Sequence, residues 1–208
     1  MQFDINAIIL QVIIQAPPLL FALTVHELAH GYVAFRLGDP TAKLAGRLTM
    51  NPLKHLDPLG VLAFIIMKIG WAKPVPVDPR YFKNPRKDML LVALAGPGSN
   101  VVLAVASAIL ARLLVVLNFL PFAILQPVVG MLVASVWINL MLAIFNCIPI
   151  PPLDGSKVLM GMLPPRAAYN YSKLEPFGFL LLLGLFYTGV IGWVIMPIIR
   201  FSNNLLLG

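Results

Sequence analysis

The sequence predicts an all-α polytopic membrane protein. It should have about four to five transmembrane or re-entrant helices and a small membrane-associated β-rich loop region. Three observations predict this. Of the 208 residues, 60% are hydrophobic and only 11% are charged, whereas a soluble domain of this size needs far more charge on its surface. The apolar residues gather into segments close to the roughly 20 residues that span a bilayer. The basic residues cluster between those segments, as they do in loops on the cytoplasmic side.

The first apolar segment covers about residues 5–37, and Pro17 and Pro18 are expected to kink it. A loop region follows over about 38–87, rich in proline, glycine and β-formers. Within it, about 58–70 is apolar but too short to cross, so it dips in or lies on the surface, with Lys68 at the interface. In "WAKPVPVD", Val75 and Val77 alternate with Pro74 and Pro76. Proline has no backbone N–H, so this stretch reads as extended and at most an edge strand. Core helices occupy about 88–147, divided into segments of about 88–117 and 122–147. A proline-rich loop with an aspartate, "FNCIPIPPLDGSKVLM", covers 146–160, and a C-terminal helix covers about 176–199. The whole chain, 1–208, reads as one membrane domain.

Of the 15 basic residues, Arg36, Lys43, Arg47, Lys54, Lys68, Lys73, Arg80, Lys83, Arg86 and Lys87 lie between the first and second long segments. That excess places loops 38–87 in the cytoplasm. One crossing out and one back then return the chain to the cytoplasm, where Lys157, Arg166 and Lys173 mark loops 149–175. The net charge of +7 is read as contact with anionic headgroups of the lipid bilayer, not with nucleic acid. Cys147, the single cysteine, excludes an intrachain disulfide. The start has no basic region before its apolar run, so no cleavable signal is expected.

"TVHELAHG" places His26, Glu27 and His30 inside the first apolar segment. Histidines at i and i+4 project from one helix face, one turn apart, and can share a zinc ion. A glutamate beside them can take a proton from an activated water. By composition this pattern arises by chance in about 4 of 10,000 such chains, and ionisable groups within a membrane segment are usually functional. Arg36 lies ten residues beyond His26, about 15 Å along a helix. If Arg36 meets the headgroups, the site lies within the hydrocarbon layer.

A catalytic zinc takes three protein ligands and leaves one position open. Asp154, followed by Gly155, which permits close backbone approach, is a candidate for the third. The alternative role for Asp154 is as an N-cap of the helix after it. His55, beside Asp57, is the remaining histidine and reads first as a structural loop residue.

"HELAH", "ALAGPGSN" (93–100) and "FNCIPIPPLDGSKVL", in that order, resemble the three signature motifs of the site-2 protease family of intramembrane zinc metalloproteases. "NPLKHLDPLG" and "WAKPVPVD" are similar to its compact prokaryotic branch, without PDZ or CBS domains. The resemblance implies one zinc ion per chain held by His26, His30 and Asp154, with Glu27 as catalytic base. It also implies that Asn146 holds substrate or the transition state, where the alternative is an ordinary interhelical hydrogen bond such as Asn139 can make. The implied partner is a transmembrane protein or peptide, cleaved at a multi-pass site in the plasma membrane during regulated proteolysis or signal-peptide clearance. Substrate would unwind and add along Val75 and Val77, and Asn100 would bond either to the metal helix or to substrate. Two rivals are a zinc transporter and a non-catalytic protein that binds transmembrane helices. Oligomeric state is not legible.

Overall fold

The computed structural model describes residues 5–67 and 70–208. Among the described residues, three helices are long and apolar enough to cross a membrane. They are α1 (Ile5–Arg36), α4 (Pro85–Leu117) and α5 (Phe122–Asn146). Between the first two lie α2 (Thr41–Leu44) and α3 (Pro58–Met67). After α5 come α6 (Asp154–Met162), α7 (Pro165–Ser172), α8 (Gly178–Tyr187) and α9 (Val190–Leu207). Helix α1 continues through Pro17 and Pro18. Lys68 lies outside the described residues.

Helix α4 is the centre of the fold, packing against α1, α5 and α6. Its inward stripe is Val92, Ala93, Gly96, Pro97, Asn100, Ala104, Ala108 and Ala111, spaced by one helical turn. Ala104 and Ala108 meet Val136 and Leu140 of α5, with Leu206 and Leu207 of α9 against them. Small residues let helix backbones approach where lipid removes the hydrophobic drive for association. The large apolar residues instead face outward, among them Ile109, Leu113 and Val116 of α4. The molecule is a multi-pass membrane protein.

Two expectations are corrected. Among the described residues the loop region forms no strand, only an isolated antiparallel bridge between Leu56 and Ala72. Pro74 and Pro76 supply no N–H, and carboxylates capture two of the donors that remain: Val75 N–H bonds to Glu27 and Asp78 N–H to Asp39. A ladder has too few free partners left. The C-terminal segment is also not one helix over 176–199. It breaks between α8 and α9 at Gly189, which takes φ +75°, a conformation that glycine adopts without steric cost. Pro165–Tyr187 and Gly192–Leu207 meet at 76° and make a fourth span only if the bent pair is counted as one. Ile195 and Ile199 of α9 are buried, and α9 packs onto α5.

Candidate metal centre

His26 and His30 lie one turn apart on α1, with their rings edge to face at 4.7 Å. Their Nε2 atoms are 3.1 Å apart. Asp154, the first residue of α6, brings Oδ2 to 3.1 Å from each. All three side chains are buried. The prolines before Asp154 prevent helix, and a tight turn then folds α6 under α4. Gly155 is needed there, since a Cβ would sit 2.3 Å from the Cys147 carbonyl oxygen. The N-cap of α6 is Leu153, and the Asp154 carboxylate turns to the two histidines instead.

The other ring nitrogens are also placed. His26 Nδ1–H donates to Asn100 Oδ1 at 2.6 Å, and His30 Nδ1–H donates to the Val92 carbonyl at 2.7 Å. Both rings therefore turn a bare Nε2 toward the Asp154 carboxylate. Three acceptors facing one point repel unless a cation lies among them. Tetrahedral N/O ligands at about 2.0–2.1 Å from zinc lie roughly 3.3 Å apart, close to the separations here. Histidines anchored through their second nitrogen are the common pattern of metal sites. The donor set fits zinc.

Gly96 of α4 forms the wall behind these rings. A Cβ there would lie 2.4 Å from His30 Nε2 and 2.6 Å from His26 Cε1. Its neighbour Gly98 has open space, and nothing in "GPG" distinguishes the two without the packing of α4 on α1.

Glu27 is half-buried, and its Oε2 accepts the Val75 N–H at 2.8 Å. The extended stretch around Val75 is held from behind. Arg47 donates to the Lys73 carbonyl at 2.6 Å and the Pro74 carbonyl at 3.2 Å. Asp39, fully buried, accepts from Asp78 N–H at 2.8 Å. The sequence reading missed Arg47 and Asp39, because their partners are backbone groups distant along the chain. The side chain of Val75 packs toward Gly31, and Val77 packs on Ala34, Phe82 and Val92.

Asn100 is fully buried against His26 and presents nothing to an incoming chain. Asn146 donates Nδ2 to the Leu142 carbonyl at 3.0 Å. It lines a cavity of about 200 Å³ with Pro97 and Gly155, the chain neighbours of Gly96 and Asp154. A second, apolar cavity of about 450 Å³ is lined by Trp71, Phe145, Leu153 and Phe179. His55 stands apart from the donor group. It is buried, with Nε2–H donating to the Thr49 carbonyl at 2.9 Å and its own carbonyl accepting from Lys73 N–H.

The profile of Peptidase family M50 matches residues 121–185. The chain is 40% identical over 191 residues to the "Putative zinc metalloprotease YwhC" of Bacillus subtilis, covering 91% of this chain and 87% of that one. It is 32% identical over 185 residues to the "Putative zinc metalloprotease Rip2" of Mycobacterium tuberculosis, covering 84% of this chain and 67% of the other. The Rip2 of Mycolicibacterium smegmatis is 29% identical over 178 residues, covering 81% and 64%. No solved structure matches the chain. With its three motifs meeting around one buried donor group, the chain belongs to Peptidase family M50, the site-2 proteases.

Proposed function

We propose that this protein is an intramembrane zinc endopeptidase that hydrolyses peptide bonds of transmembrane proteins or peptides. The observation that carries this reading is the convergence of His26, His30 and Asp154 at 3.1 Å separations, on a helix that also bears Glu27. These three residues hold one zinc ion. When bound, zinc supplies a Lewis acid that polarises the scissile carbonyl and makes water a nucleophile near neutral pH. Glu27 is the general base. Val75 N–H holds its Oε2, which leaves Oε1 to take the proton of the attacking water and return it to the departing amine. Asn146 steadies the substrate or its developing oxyanion from the cavity beside Asp154.

A helical substrate has its carbonyls tied into its own ladder and must unwind before attack. The extended stretch through Val75 and Val77, beside Glu27, receives it through the few main-chain groups that Glu27, Asp39 and Arg47 do not occupy, since both side chains pack inward. Regulated intramembrane proteolysis or signal-peptide clearance are the settings that fit such a substrate. Loops 38–87 and 149–175, with their excess of lysine and arginine, face the cytoplasm.

The test is metal content by mass spectrometry on purified protein, wild type beside Asp154→Ala. About one zinc per chain, lost or sharply weakened in the variant, is the expected result. Zinc retained unchanged in Asp154→Ala would overturn the ligand assignment.

A further inference from the structure

The two histidines are oriented by different means. His30 is set by the fold itself, because the Val92 carbonyl can only accept and so keeps the proton on Nδ1. The partner of His26 is an amide side chain, which accepts at one end and donates at the other. If the Asn100 amide were reversed, its NH2 would face His26 Nδ1. The neutral ring would then carry its proton on Nε2, on the nitrogen aimed at Asp154, and could not ligate through it.

The orientation is settled one helix away. Asn100 Nδ2 donates to Asn139 Oδ1 at 2.8 Å, and reaches the Ala22 carbonyl only at 3.5 Å, the limit of a hydrogen bond. Asn139 Nδ2 in turn donates to the Ser135 carbonyl at 2.9 Å and to Ser135 Oγ at 3.1 Å. The Ser135 carbonyl can only accept, so it anchors the polarity of the series from α5 to α4 to α1. Asn100 and Asn139 are both fully buried. Reversing either amide would set like groups face to face without water to relieve them.

We infer that Asn139, which makes no hydrogen bond to the donor group, is a positioning residue for the metal: it orients the Asn100 amide so that His26 presents a bare Nε2. This rests on His26 being a zinc ligand, as proposed above. Removing the acceptor at 139 leaves the Asn100 NH2 only the 3.5 Å contact with the Ala22 carbonyl, so the amide can turn and His26 can take the other tautomer. A carboxylate at position 100 has no such need, because both of its oxygens accept.

The experiment is zinc affinity in detergent by competition with a chromophoric chelator. The forms compared are wild type, His26→Ala, Asn139→Leu, Asn100→Asp and the Asn100→Asp/Asn139→Leu double variant. Thermal unfolding of the zinc-free forms is followed in parallel. Asn139→Leu is expected to weaken zinc about 10- to 100-fold, the usual range for outer residues of metal sites. In the Asn100→Asp background the same change is expected to cost less than about threefold, the departure from additivity that marks coupled residues. Asn139→Asp, whose neutral acid can still accept from Asn100 and donate to Ser135, is expected to stay near wild type. If the leucine form does not fold, Asn139→Ser replaces it, since its hydroxyl is too short to reach Asn100. Wild-type affinity in Asn139→Leu, or an equal loss in both backgrounds, would overturn the inference and leave Asn139 a packing residue. Wild-type affinity in His26→Ala would instead overturn the ligand assignment on which it rests.

Discussion

The backbone N–H of Val75 donates to Glu27 Oε2 at 2.8 Å, joining residues 48 positions apart. Prolines on both sides of Val75 leave it the only donor in its immediate stretch. The hydrogen bond occupies one oxygen of the carboxylate and aims the other.

Arg47 holds that stretch in place by bonding to two successive carbonyls. Arg47→Ala is therefore expected to lower cleavage about 10- to 100-fold, the size of one or two hydrogen bonds to a charged group. Zinc content should stay at the wild-type level, because Arg47 makes no bond to the donor group. A parallel loss of zinc would show that the stretch supports the metal and not Glu27.

Glu27→Gln keeps an acceptor for Val75 N–H and leaves His26, His30 and Asp154 untouched. Proteolysis should fall by at least about 100-fold with zinc retained, since a general base contributes on that scale. Zinc transport or helix binding unaffected by the change, in a wild type with no peptidase activity, would favour a rival function.

Gly96→Ala drives a methyl group into the two imidazoles, 2.4 Å from His30 Nε2. Zinc stoichiometry should drop well below that of wild type. Gly98→Ala meets open space and should bind zinc normally. The two variants are assayed together by metal analysis, and equal behaviour would count against the close approach of α4 to α1.

His55→Ala removes a buried bond to the Thr49 carbonyl. It is expected to lower stability by about 1–3 kcal/mol, the cost of stranding a buried partner, with zinc stoichiometry unchanged. Thermal unfolding and metal analysis on one sample separate this structural role from that of a ligand.

Hydropathy and the run of basic residues were enough to read the membrane class and the three long helices, because a bilayer demands long apolar segments and marks their cytoplasmic ends with charge. The i, i+4 spacing was enough to pair His26 with His30, since local helix geometry decides it. Asp154 was legible as a candidate, but that its carboxylate meets His26 and His30 was decided by how α6 packs on α4. The β-rich region was misread because a pattern of valines and prolines says nothing of carboxylates 39 to 48 residues earlier that take the donors. The break at Gly189 was hidden because an apolar run is equally apolar on both sides of a turn. Gly96, Arg47 and Asn139 act on groups of other elements, 26 to 70 residues away along the chain. Their roles follow from packing geometry, which no spacing along the chain encodes.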